Sequence, residues 1–230
     1  MISPRKQTIL EIIIKEHLET AAPVSSGVLV DKYCLKVSPA TVRNEMMELE
    51  EAGYIYQPHT SAGRLPTEIA YEQYLEKIIN EGIKVKLSDS ELAQLNQVFQ
   101  EDESSYRQTA KLISELSKGA VFWAFHKNDL YYTGLSNLFS QAEFSQAKMV
   151  YDASAIIDRL EEIIDEVFED LELGTQVLIG SQNPFGNFLS TVLLKYEKNK
   201  QHGVIGILGP MRMDYDKNIA LIEFLNNKFK

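Results

Sequence analysis

Residues 37–56 read VSPATVRNEMMELEEAGYIY, and residues 57–67 continue as QPHTSAGRLPT. Ser38 followed by Pro39 marks a helix start, because serine caps and proline fills a first-turn position where a missing N–H costs nothing. Gly53 is the residue type favoured just past a helix end, so the spacing predicts one helix between them. At 3.6 residues per turn Val42, Met46 and Leu49 share a narrow arc and form its buried side. Ala40, Asn44, Met47 and Glu51 point the other way, with Arg43 on the flank. The exposed N-terminal half therefore offers a small side chain, a guanidinium, an amide and a thioether. Those groups suit the reading of base edges in a major groove. Ser38 and Thr41 add hydroxyl and N–H donors for a phosphate at the helix N-terminus.

Working outward, the preceding segment predicts two more helices. The first runs from about Pro4 to Thr20, with Ile9, Ile12, Ile13 and Leu18 as its candidate buried stripe, and Ala21-Ala22-Pro23 breaks it. Ser25 caps the second, Ser26 to Tyr33, which carries Val28, Leu29 and Val30. Downstream, Tyr54 to Gln57 reads as a short strand, residues 58–63 as a turn-rich loop, and Arg64-Leu65-Pro66 as the return. Three short helices with a strand-loop-strand predict a winged helix-turn-helix over residues 1–83. Its loop presents His59, Thr60, Ser61 and Arg64 for the DNA backbone or minor groove, and Lys6 and Lys36 are further candidate phosphate contacts.

Beyond it, Thr67 is expected to cap a helix reaching about Gly82 and carrying Tyr71, Tyr74, Leu75, Ile78 and Ile79. Residues 84–118 read as a helical connector: Ser88 and Glu91 form a capping-box pair before Leu92, Leu95 and Phe99, and a second helix spans Ser105 to Ser117. From residue 119 to 230 strands alternate with helices. Ala120–His126 and Leu130–Gly134 flank a hairpin signal at Lys127-Asn128-Asp129, and Val177–Gly180, Phe188–Tyr196 and Val204–Leu208 are further strands. Ala155–Leu171 reads as one amphipathic acidic helix, and Asp214–Phe229 closes the chain as another. The pattern is an α+β domain with an antiparallel sheet.

Composition narrows the function. The 230 residues carry a formal charge of −10, and hydrophobic residues make up 44%, enough for a sizeable core. An acidic chain argues mildly against generic nucleic-acid binding. Residues 1–66 are nearly neutral, with seven cations against eight carboxylates. DNA binding there requires the cations to face one way and the glutamates to gather behind and at the third helix's C-terminal end. No apolar run is long enough to span a membrane and no secretion signal is evident, so a cytoplasmic protein is expected. Cys34 has no partner for an internal disulfide and reads as a buried residue. The four histidines are dispersed, so no metal site or cofactor is expected.

Several features invite other chemistry. Gly203, Gly206 and Gly209 repeat every third residue, but the spacing matches no phosphate loop and fits a strand ending in a turn. The carboxylates at Asp158, Glu161, Glu162, Asp165, Glu166, Glu169, Asp170 and Glu172 alternate with apolar positions and read as a solvated face. Trp123 among Val121, Phe122 and Phe125 reads as sheet core. No nucleophile–base pair or metal motif is present, so an enzyme is not expected.

Residues 37–46, 49–55 and 57–67, together with GLSNL at 134–138 and GPMRMDY at 209–215, resemble the HrcA family of heat-inducible transcription repressors. The resemblance implies a homodimeric repressor that binds an inverted-repeat operator upstream of chaperone operons. It also implies activity maintained by the GroE chaperonin, with relief on heat stress. The implied architecture is a winged helix followed by a GAF-like antiparallel-sheet domain with flanking helices, into which a dimerising domain is inserted. This chain is shorter than typical members, and Ala120–His126 runs almost directly into Leu130–Gly134, so the insertion, with some of the GAF-like strands, is expected to be absent. Dimerisation is then expected to pass to residues 84–230. Two other readings stay open: a ligand-sensing regulator using the GAF-like domain, and a winged helix serving as a protein-interaction module.

Overall fold

The computed structural model describes residues 2–81, 86–100, 102–126 and 129–230. The chain forms two compact units, Met1–Glu81 and Gly82–Lys230. Among the described residues no helix is long and apolar enough to cross a membrane.

The N-terminal unit opens with α1 (Pro4–Thr20), α2 (Ser26–Tyr33) and α3 (Pro39–Glu51). Each start is set by a serine in extended conformation. Ser3, Ser25 and Ser38 accept from the backbone N–H of Lys6, Val28 and Thr41 in turn, satisfying donors that the first helical turn leaves free. The first two helices end on left-handed residues, Ala21 and Cys34, and Gly53 at φ +80 follows the third. Cys34 is exposed at this helix end, not buried as its sequence context predicts, because the left-handed cap turns it away from the apolar stripe of α2. Ile9, Leu10, Ile13, Ile14, Leu29, Val42, Met46 and Leu49 are buried in these helices. Ile12 and Leu18, expected in the stripe of α1, are only half-buried, and Leu10 and Ile14 take the deeper positions.

After α3 come β1 (Ile55–Tyr56) and β2 (Leu65–Pro66), paired antiparallel with Ile55 opposite Pro66. A bridge outside these strands joins Val24 to Arg64, with Val24 N–H donating to the Arg64 carbonyl at 2.9 Å and the reverse bond at 2.8 Å. Then α4 (Glu68–Glu81) seals the unit through Ala70, Tyr71 and Leu75. Thr67, expected to cap it, stands just before the helix, where its carbonyl accepts the Tyr71 N–H at 3.2 Å, while its hydroxyl donates back to the carbonyls of Gly53 and Tyr54 at 2.7 and 3.0 Å. Gly82 lies outside the described residues.

The second unit is a five-stranded antiparallel sheet, ordered β4-β3-β7-β6-β5, with helices against both faces. Its strands are β3 (Ala120–His126), β4 (Asp129–Thr133), β5 (Gly174–Ile179), β6 (Leu189–Lys198) and β7 (Gln201–Pro210). On one face Phe122, Leu189, Leu193, Val204 and Leu208 pack with α7 (Leu135–Phe139), α8 (Ala147–Asp158) and α9 (Leu160–Val167). On the other lie α6 (Glu103–Ser117) and α10 (Tyr215–Phe229), and α5 (Asp89–Val98) packs on α6. There Trp123 is fully buried, stacked on Tyr106 at 4.9 Å, and its Nε1–H donates to the Tyr196 hydroxyl at 2.8 Å. Burial pushes the Tyr196 phenol up to about 12. The capping box of α5 is present, with Ser88 and Glu91 bonded reciprocally. This mixed helix-and-sheet arrangement is consistent with a GAF-like domain.

The glycine row lies within β7, where Gly206 faces the Phe122 ring; a Cβ there would come within 2.4 Å of it. Gly203 likewise makes room for the Tyr196 ring and Gly209 for the Met213 side chain, as a strand reading requires. The acidic segment, expected as one helix over Ala155–Leu171, is two. α8 begins already at Ala147, and the chain breaks at Arg159, whose N–H turns back to the carbonyls of Ile156 and Ile157. The break lets Ala153 and Ile157 of α8 and Leu160, Ile163 and Ile164 of α9 reach the same core. Of the hairpin signal between β3 and β4, Lys127 and Asn128 lie outside the described residues.

Candidate nucleic-acid interface

The outward face of α3 takes shape from its burial pattern. Val42, Glu45, Met46 and Leu49 point inward, while Ala40, Arg43, Asn44 and Met47 are exposed, Met47 at 48%. These four recur at helical spacing and form one solvent-facing stripe. At its head Ser38 already accepts the Thr41 N–H at 3.1 Å, and the two hydroxyls pair at 2.9 Å. Capping thus uses donors that the sequence offers to a phosphate.

Beside this stripe lies the loop of residues 57–64, held by a set of internal bonds. Gln57 Nε2 donates to the carbonyls of Thr60 and Ala62, at 3.1 and 2.9 Å, and Ala62 N–H donates to the His59 carbonyl. Gly63 passes so close to the chain before α2 that a Cβ would sit 2.4 Å from the Val24 carbonyl. His59, Thr60 and Ser61 are exposed at the tip. Arg64 is not: its side chain is 14% exposed, and its Nε donates to Glu50 at 2.9 Å. Between loop and helix is a cleft of about 400 Å³, lined by Ser25, Ser26, Arg43, Gln57, Thr60 and Ser61 among others.

Ion pairing settles where the charge of this unit goes. Glu45 pairs with Arg5, Glu48 with Lys6, Glu50 with Arg64, and Glu11 with Lys77. Lys32 bridges Glu16 and Glu19, while the Tyr33 hydroxyl donates to the same Glu16 oxygen. These bonds hold the Glu16 carboxyl below its usual range, and burial raises the Tyr33 phenol. Three of the four glutamates of α3 are therefore matched by cations from other elements. Arg43, by contrast, makes no ion pair or hydrogen bond with another described residue, and Lys36 in the turn before α3 is likewise exposed. Lys6, expected as a phosphate contact, is committed to Glu48 and only 24% exposed in its side chain. An unpaired guanidinium near the N-terminal end of this face, with Glu51 left unmatched only at its C-terminal end, can engage a phosphate or a guanine edge without first breaking an internal bond.

Sequence reading missed Glu45 as a buried residue, the Val24–Arg64 bridge, and Glu50 and Gln57 as the organisers of the loop. Only Gly63 hinted at the close approach. In the second unit, Asp158, Glu161, Glu162, Glu166, Glu169, Asp170 and Glu172 are exposed and Asp165 is half-buried, as a solvated face requires.

Comparison with known proteins adds the lineage. The family model for the HrcA protein C terminal domain matches residues 35–219. A heat-inducible transcription repressor HrcA from Carboxydothermus hydrogenoformans is 27% identical, covering 98% of this chain and 96% of that protein. Its alignment runs over 333 positions against the 230 residues here, so long stretches of that relative have no counterpart in this chain. The protein of the same name from Desulforamulus reducens is 52% identical over 87 residues, 38% of this chain and 24% of that one. A crystal structure of a hypothetical protein shares the fold over 100% of this chain and 98% of its own, at a TM-score of 0.81 and 20% identity. With a family model matched over most of its length, the chain belongs to the HrcA family.

Proposed function

We propose that this chain, a negative regulator of heat-shock transcription by its family, acts through a winged helix-turn-helix formed by residues 1–83. In this reading α3 enters the major groove. Ala40, Arg43, Asn44 and Met47 meet base edges there, and Ser38 and Thr41 approach the backbone. The loop 57–64 is the wing, with His59, Thr60 and Ser61 at the duplex and Arg64 supporting them from beneath, while Lys36 adds a phosphate contact. The observation that carries the reading is the unpaired Arg43 beside Glu45, Glu48 and Glu50, all three matched by cations, with the unmatched Glu51 at the far C-terminal end of the helix. It meets the condition that the near-neutral charge of residues 1–66 imposes. The Val24–Arg64 bridge supports the winged form, since it ties the segment before α2 to the return arm of the β1–β2 hairpin.

The protein acts in the cytoplasm as a homodimer on an inverted repeat upstream of chaperone operons, with residues 119–230 as a GAF-like domain and the GroE chaperonin as the partner that maintains activity. Binding of the full chain to a labelled chaperone-promoter inverted repeat, against a scrambled duplex at two salt concentrations, tests the central claim. Repeat-dependent binding with a salt slope of only a few phosphates is expected, since few cations are free. Equal, feeble binding to both duplexes, unchanged on adding chaperonin, overturns it.

A further inference from the structure

We infer that Glu50 is a positioning residue that fixes the distance between the exposed stripe of α3 and the tip of loop 57–64, an inference that rests on the reading that both meet one duplex. The carboxylate spans the gap with both oxygens. Oε1 accepts the backbone N–H of Gln57 at 3.1 Å, where the loop departs, and Oε2 accepts Nε–H of Arg64 at 2.9 Å, where it returns. Gln57 then carries the tie outward, its side-chain amide donating to the Thr60 and Ala62 carbonyls. One helix residue thus holds both ends of the loop, and one loop residue holds its tip.

The loop has other supports that do not involve α3. The Ile55–Pro66 and Tyr56–Leu65 pairs and the Val24–Arg64 bridge are backbone ladders independent of the Glu50 side chain. Removing Glu50 therefore leaves the hairpin formed but loosens it from the helix. Two contacts on one duplex add fully only when their spacing is set in advance; a loose spacing makes ordering part of the binding cost. Glu50 lies on the inner flank of α3, half-buried, and its charge is matched by Arg64, so it offers nothing to DNA directly. Its effect on binding runs through the loop.

Two measurements on the full chain test this. Spin labels at Asn44→Cys and Ser61→Cys, in a Cys34→Ser background, report the helix-to-tip distance. The distribution should be narrow with Glu50 present and broad in Glu50→Ala. Glu50→Gln keeps an oxygen for the Gln57 N–H but not the charge facing Arg64, and should fall between. In duplex titrations, the combined His59→Ala, Thr60→Ala and Ser61→Ala change should cost about tenfold in affinity with Glu50 in place and less than about twofold in the Glu50→Ala background. An unbroadened distance, or the same tip effect in both backgrounds, overturns the inference. If the parent protein fails to prefer the inverted repeat, the DNA reading falls, and the distance distribution alone decides whether Glu50 sets the spacing.

Discussion

The two units differ in how they place most of their carboxylates, although the second also holds the cross-element pairs Arg212–Glu143 and Lys217–Glu91. In Met1–Glu81 most carboxylates of α1 and α3 are drawn into pairs that cross between elements, among them Arg5 to Glu45, Lys6 to Glu48, Lys32 to Glu16 and Arg64 to Glu50. In Gly82–Lys230 the outer faces of α8 and α9 leave Asp158, Glu161, Glu166 and their neighbours in water, and stability comes from a sheet buried on both faces by apolar and aromatic side chains. The contrast teaches where an acidic protein can meet a polyanion. Net charge is a poor guide when one unit cancels its carboxylates locally and the other displays them. What a polyanion would meet is the local remainder, which among the cations of residues 1–66 is Lys15, Lys36 and Arg43.

Glycine substitutions give the strongest way to separate the units. Gly63→Ala forces a Cβ into the Val24 carbonyl, a backbone atom that cannot step aside. Gly206→Ala forces one into the buried Phe122 ring. Overpacking of this kind costs about 1–3 kcal/mol. Hydrogen exchange should show lost protection in the unit that holds the substitution, and Gly63→Ala alone should abolish preference for a single half-site over a scrambled duplex. Loss of that preference in Gly206→Ala with residues 1–81 still protected would contradict the division of labour.

Arg43→Ala comes next. Its outward position and lack of an internal partner predict a loss of about 1–3 kcal/mol in operator affinity with no change in thermal midpoint. A folded variant with unchanged affinity removes Arg43 from the interface.

A pH titration sharpens the second unit's side of the comparison. Lys217 donates to Glu91, as do the backbone N–H and hydroxyl of Ser88, and together they hold the Glu91 carboxyl at about 2. A carboxyl whose folded value lies below its unfolded one stabilises the fold above the unfolded value, and that contribution is lost as pH falls. The loss should therefore fall between pH 4.5 and about 2. Urea midpoints of Glu91→Gln should decline less over that window than those of the parent. Parallel curves would mean that the pair is not coupled to folding.

The smallest effect is expected from Lys6→Ala, which uncovers Glu48 on the flank of α3. Screened by salt and exposed to solvent, the freed carboxylate should weaken duplex binding by about twofold at low ionic strength and not at all at high. A loss that persists at high salt would show that Lys6 touches DNA itself.

Local signals were legible in the sequence and long-range ones were not. Ser25, Ser38, Pro39 and Gly53 announce helix limits through bonds made within four residues, and α2 and α3 begin where those residues say. Trp123 and the glycines of β7 are legible as sheet residues because a strand's apolar pattern needs no distant partner to be recognised. The break at Arg159 had no such mark, since neither proline nor glycine stands there and the core shared by α8 and α9 decides it. Glu45 and Glu50 look like ordinary surface glutamates until Arg5 and Arg64 are brought to them. For the candidate site, the outward face of α3 followed from periodicity alone. The stitching of the loop through Val24 and Gln57 needed the fold.

One feature of the sheet bears on how such proteins lengthen and shorten over evolution. His126 and Asp129 are ladder partners at the mouth of the β3–β4 hairpin. Two positions that face each other across a ladder form a neutral splice point: a foreign domain whose own ends lie close together could be grafted there, or deleted, without altering the register of either strand. The sheet would pass through both histories unchanged, and a lineage could shed a whole module while keeping the scaffold that once carried it.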